Sequence, residues 1–115
     1  EARRGAQYEG IILDPPAFGR GAKGEVWKIE EALPELLETL KTILSEKPSS
    51  FFLVNGYASG YAPRAFAQAV ESTFGETEGE CGELFIQESK SERPTSPELR
   101  RARVIPAGIY VRFVR

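Results

Sequence analysis

An apolar burst over residues 8–13, stopped abruptly by an acid and two prolines, restricts this chain most. Ile11, Ile12 and Leu13 follow one another directly, and Asp14-Pro15-Pro16 comes next. A short unbroken apolar run suits a strand buried on both faces, the usual setting of parallel strands. Proline has no N–H to give to a ladder, so the strand must end at Pro15. Asp14 is thereby delivered to the carboxyl edge of a sheet, where open α/β sheets bind their ligands.

The pattern downstream fits that architecture. Over residues 31–45, Leu33, Leu36, Leu37, Leu40, Ile43 and Leu44 recur at helical spacing, with Glu35, Glu38 and Lys41 on the other side. Pro34 fits only the first turn of such a helix. A second apolar burst, residues 51–54, predicts another buried strand. Pro63 then opens a helix carrying Phe66, Val70 and Phe74, which Gly75 ends. Strands are expected over residues 83–88 and 108–114, the latter alternating Ile109, Val111 and Phe113 with Tyr110, Arg112 and Val114. The polar stretch 89–103, with Pro94 and Pro97, reads as a long loop. The order strand, helix, strand, helix, strand, strand implies parallel crossovers followed by an antiparallel pair in an α/β domain of three layers.

Composition removes many functions. The chain has no His and one Cys, so His-dependent triads, His- or Cys-rich metal sites and an internal disulfide are excluded within it. One cysteine also makes a reducing, cytoplasmic location the default. No apolar run approaches the ~20 residues of a membrane span. The chain of 115 residues contains no Met and opens on Glu1-Ala2-Arg3-Arg4, which reads as the tail of a helix in a longer protein. Charge separates late: residues 71–88 hold six Glu and no Lys or Arg, while residues 99–115 hold Arg100, Arg101, Arg103, Arg112 and Arg115 and no acid. Either these are two solvated faces that attract weakly, or the arginines face a phosphate backbone.

Residues 19–24 spell G-x-G-x-x-G, but the match is accidental. A dinucleotide fingerprint places its first glycine directly after the strand and opens a helix on the last; here five residues intervene and Glu25-Val26-Trp27 starts no helix. The stretch reads instead as a flexible, glycine-bridged lid carrying Arg20 and Lys23. Asp14-Pro15-Pro16-Ala17-Phe18 admits two readings. In one, Asp14 and the proline carbonyls accept from an exocyclic amine while Phe18 stacks on a base drawn from its helix. In the other, Asp14 satisfies local backbone donors and Phe18 enters the core. Tyr57 and Tyr61 likewise could contact a substrate or cover the core's edge, and Trp27 reads as a packing anchor for the loop.

Residues 8–14, then Asp14-Pro15-Pro16-Ala17-Phe18-Gly19-Arg20-Gly21, then Lys23-Gly24-Glu25-Val26-Trp27-Lys28, resemble the class I S-adenosylmethionine-dependent methyltransferases related to the large-subunit ribosomal-RNA cytosine-C5 methyltransferases. The similarity continues through residues 51–61 and 103–112. It implies the second half of a Rossmann-like methyltransferase fold, with residues 1–115 forming the C-terminal portion of the catalytic domain and Asp14 ending its fourth strand. It implies S-adenosylmethionine as cofactor, RNA as partner and no membrane. Asp14 would orient the acceptor and touch the cofactor's methionine end, Pro15 and Pro16 would supply backbone acceptors, and Phe18 would stack. Arg20, Lys23, Tyr57 and Tyr61 would contact substrate. The related enzymes attack cytosine with a Cys in the loop after the fifth strand; residues 55–61 contain none, which leaves an amine or another nucleophile as acceptor. Cys81 lies elsewhere, among glutamates, and reads as an inert thiol. Two other expectations remain beside methyl transfer to RNA: a catalytically silent module that dimerises through an exposed sheet edge, and a small-molecule methyltransferase.

Overall fold

Apolar residues at helical and strand periods meet in one core. The computed structural model describes residues 1–57, 62–75, 79–87 and 104–115. After a short 3₁₀ turn (Ala2–Arg4) come β1 (Gly10–Leu13), β2 (Phe18–Arg20), β3 (Val26–Lys28), α1 (Ile29–Ile43), β4 (Phe51–Gly56), α2 (Pro63–Phe74), β5 (Gly79–Gln87) and β6 (Val104–Val114). Four strands form one sheet in the order β1-β4-β6-β5. β1 and β4 are parallel, with Gly10 beside Phe51 and Leu13 beside Val54. β6 runs antiparallel to both neighbours, so the last strand inserts between β4 and β5. This is the mixed α/β, Rossmann-like arrangement expected, including its terminal antiparallel pair.

Both helices lie on one face of the sheet. Leu33 and Leu37 of α1 and Phe66 and Val70 of α2 are buried with Phe52 and Val54 of β4 and Val111 and Phe113 of β6. Phe52, Phe74 and Phe113 form an aromatic triangle with ring centroids 4.9 to 5.7 Å apart. Lys41 Nζ donates to the Thr73 carbonyl at 2.6 Å and ties the end of α1 to α2. α2 begins at Pro63 and is capped at Gly75, as its sequence dictates.

Four expectations need correction. β1 is buried on one face only: Ile11 and Leu13 pack on the core, but Ile12 is 68% exposed. An unbroken apolar run does not reveal how many layers cover a strand, and among the described residues no helix lies on the second face. The described residues therefore form two layers, a sheet and one layer of helices, where three were expected. Helix α1 starts at Ile29, two residues earlier than the apolar pattern over residues 31–45 suggested; Ile29 is buried and its N–H donates to the Ala17 carbonyl at 3.1 Å. Pro34 therefore lies inside the helix and leaves the Glu30 carbonyl without its helical donor. The helix ends at Ile43, where Tyr8 N–H donates to the Ile43 carbonyl and Ser45 N–H to the Tyr8 carbonyl, both at 2.8 Å. Finally, residues 19–24 are no unstructured lid: β2 and β3 pair antiparallel as a hairpin. Its turn is closed by Gly21 N–H donating to the Glu25 carbonyl (2.8 Å) and Gly24 N–H to the Gly21 carbonyl (3.1 Å), with Gly24 at φ 87°.

β5 is longer than its apolar pattern suggested, beginning at Gly79. The expected loop over residues 89–103, with Arg100, Arg101 and Arg103, lies outside the described residues except for its borders. Among the described residues no helix is long and apolar enough to cross a membrane.

Candidate active-site rim

Parallel pairing brings two strand ends to the same edge of the sheet. Because Leu13 is in register with Val54, the next residues, Asp14 and Asn55, become neighbours. Asn55 Nδ2 donates to Asp14 Oδ1 at 2.8 Å. The carboxylate is exposed and held by an amide from the adjacent strand, so it presents its remaining acceptor positions to solvent. Asn55 was not singled out from the sequence; only the register between two distant segments gives it this role.

The two prolines behave differently from one another. Pro15 is buried and Pro16 exposed. Trp27 Nε1 donates to the Pro16 carbonyl at 2.7 Å. That carbonyl, expected to face a substrate, is thus occupied by the hairpin. The same bond makes Trp27 the anchor of the β2–β3 hairpin against the strand end.

Phe18 stands on β2 with 54% of its surface exposed, and the Arg20 guanidinium lies 5.9 Å from its ring centroid. The core reading of Phe18 is therefore excluded. Lys23 is exposed at the hairpin turn, its backbone N–H donating to Glu25 Oε2 at 3.0 Å. Tyr57 follows β4 and is 70% exposed. Tyr61 lies outside the described residues. The rim thus brings Asp14 together with Asn55, Pro16 with Trp27, and Phe18 with Arg20.

Beside the rim, Tyr57 and Glu83 border a cavity of about 570 Å³ between the end of β4 and the β5–β6 hairpin. Gly108 stands at its back with φ 116°, and a Cβ there would lie 2.7 Å from the Gly56 carbonyl oxygen. β6 can approach β4 this closely only with glycine at position 108. The sequence marked neither Glu83 nor Gly108, because a cavity between non-adjacent segments has no local signature.

The late charge separation is partly internal. Arg112 donates to Glu80 at 2.9 Å and the Tyr110 hydroxyl donates to the same carboxylate at 2.8 Å. Arg112, and after it Tyr110, holds the Glu80 carboxyl below its ordinary range; Glu80 in turn pushes the Tyr110 hydroxyl up. Cys81 is half-buried against the core. Among the described residues no group of three or more acids and cysteines is placed to hold a metal ion.

The fold matches solved methyltransferases. The SAM-dependent methyltransferase from Agrobacterium tumefaciens aligns over 99% of this chain with a TM-score of 0.79 and 29% identity. A candidate methyltransferase solved in complex with SAH aligns over 97% with a TM-score of 0.58 and 21% identity. A candidate SAM-dependent methyltransferase from Streptococcus mutans aligns over 97% with a TM-score of 0.53 and 18% identity. The chain spans 35% of the first of these structures and 27% of the other two. No family model matches the chain, and no curated protein matches it.

Proposed function

We propose that this chain is the C-terminal portion of a class I SAM-dependent methyltransferase catalytic domain, and that its rim presents the methyl acceptor. The observation that carries this reading is the Asp14 carboxylate clamped by Asn55 at the carboxyl edge of a parallel strand pair. The 0.79 TM-score to a SAM-dependent methyltransferase supports it. The rim fits the cofactor's methionine end, because Asp14 Oδ2 has no hydrogen-bond partner among the described residues and can accept from an ammonium group. S-adenosylmethionine supplies an electrophilic methyl group on a sulfonium. Asp14 takes an N–H or O–H of the acceptor and fixes its direction, while Phe18 offers a ring face for stacking. Arg20 and Lys23 supply positive charge from the hairpin. Rate then comes chiefly from holding the acceptor in line, which is worth several orders of magnitude in well-oriented systems.

The acceptor we propose is RNA, with ribosomal RNA foremost, in the cytoplasm. The exposed Phe18–Arg20 pair supports this, since an aromatic face beside a guanidinium suits a base and its phosphate. Incubating the natural protein with tritiated S-adenosylmethionine and ribosomal RNA tests it: label should enter RNA, and activity should fall steeply with salt and with loss of Arg100, Arg101 and Arg103. Label confined to small molecules would reject RNA.

A second reading, a binding module that pairs through a sheet edge, is favoured by β1. That strand ends the described sheet and leaves Ile12 exposed. Sedimentation velocity of this chain separates the two, because a second copy on β1 gives a dimer that Ile12→Lys abolishes. A small-molecule acceptor is the third reading, favoured by the cavity beside Tyr57.

A further inference from the structure

Ile109 is the first residue of β6 to enter the core, and Glu83 is its partner on β5. Beyond this pair the ladder slips by one residue between Leu84 and Phe85, next to Gly108 with its positive φ. Such a slip bends a ribbon locally. The arm of the hairpin therefore leaves the helical layer behind and stands across from Tyr57. Between them lies the open cavity of about 570 Å³, within the roughly 300–1,000 Å³ range of small-molecule sites.

Its lining is chemically one-sided. Tyr57, Phe85, Val104 and Pro106 supply two aromatic rings and aliphatic surface; Tyr57 is 70%, Phe85 63% and Val104 56% exposed. Grouped apolar exposure around a concavity marks a binding surface, whereas scattered exposure does not. Glu83 is the one charged residue among the described lining residues, and no Lys or Arg joins it. Its carboxylate has no hydrogen-bond partner among the described residues. A carboxylate beside aromatic faces attracts an amine and stabilises a cation. The same carboxylate, with no counter-charge among the described lining residues, repels phosphate.

We infer that this cavity binds an organic amine with an aromatic or aliphatic body, its nitrogen on Glu83 and its body against Tyr57 and Phe85. The site is continuous with the rim: Asn55 clamps Asp14, and the next residue, Gly56, lines the cavity. It goes beyond the proposed methyl transfer and does not depend on RNA being the acceptor.

Three probes with one ring system test it on the whole chain by NMR titration: tryptamine, neutral indole-3-ethanol and indole-3-acetate. Tryptamine is expected to bind at least about tenfold more tightly than indole-3-ethanol, a difference of about 1.4 kcal/mol, with indole-3-acetate weakest. Glu83→Gln should remove the advantage of tryptamine and leave indole-3-ethanol unchanged; Phe85→Ala should weaken both. Circular dichroism melting checks that each variant is folded. Equal affinity for tryptamine and indole-3-ethanol, indifference of tryptamine to Glu83→Gln, or no binding by any probe at millimolar concentration overturns the inference. Binding is read without S-adenosylmethionine and methyl transfer without added amine, so the failure of one is distinct from the failure of the other.

Discussion

Asn55 donates its side-chain amide to the Asp14 carboxylate over 2.8 Å, joining the ends of two parallel strands that lie 41 residues apart in sequence. The bond aims a group that would otherwise rotate freely in water. Removing it with Asn55→Ala should lower kcat/KM for methyl transfer by about 10- to 100-fold, the scale of a modest misplacement of a reacting group. Stability should change little, because an exposed hydrogen bond contributes only about 0.5–1.5 kcal/mol. Asn55→Asp should be worse, since it sets a second carboxylate against Asp14. Steady-state kinetics on the natural protein checks both, and unchanged turnover in Asn55→Ala would mean that Asp14 needs no clamp.

The hairpin is held to the strand end by Trp27. Trp27→Phe keeps the ring but removes the N–H that reaches the Pro16 carbonyl at 2.7 Å. A loss of about 1 kcal/mol is expected in urea unfolding followed by circular dichroism. Amides of residues 18–28 should exchange faster with deuterium, while those of α2 should not. Equal exchange in both segments of the variant and the parent would show that the hairpin stands without this bond.

Glu80 gives a pH dependence with a definite sign. Its folded carboxyl titrates below the ordinary value of 4.5 because Arg112 and Tyr110 hydrogen-bond to the charged form. The stabilisation is therefore fully present above the unfolded value and is lost as pH falls through the lower folded value. Urea midpoints measured from pH 7 down to pH 3 should show the parent losing its advantage over Glu80→Gln across that interval. The advantage should also shrink in high salt, since the pair is exposed. A constant difference at all pH values would contradict the assignment.

Gly108 combines φ 116° with a close approach to the Gly56 carbonyl oxygen. Gly108→Ala should cost about 1–3 kcal/mol from backbone strain, with the added methyl forcing β6 from β4. Thermal melting measures it. A neutral substitution would mean that this stretch of β6 relaxes freely.

The sequence carried the elements whose causes are local. Leu33, Leu37 and Leu40 announce α1; Pro63 and Gly75 bracket α2; and Ile109, Val111 and Phe113 give β6 its inward face. Pro15 and Pro16 end β1 where their missing donors require. What escaped depended on distant partners. Ile12 looks like Ile11 in the sequence, yet only Ile11 meets a helix layer. Residues 19–24 look like a loop because the pairing that makes them a hairpin rests on Trp27 and the turn at Gly24. Asn55 acquires its role from a register that no local pattern records, and Glu83 from a cavity between separate strands.

The central claim is that the Asp14 rim is where the methyl acceptor is held. The most direct test is methyl transfer from tritiated S-adenosylmethionine by the natural protein bearing Asp14→Ala or Asp14→Asn, with folding checked by circular dichroism. The account predicts that both variants remain folded and lose about 100-fold or more in turnover, the contribution expected of a group that positions the acceptor. Turnover within a few-fold of the parent would contradict it.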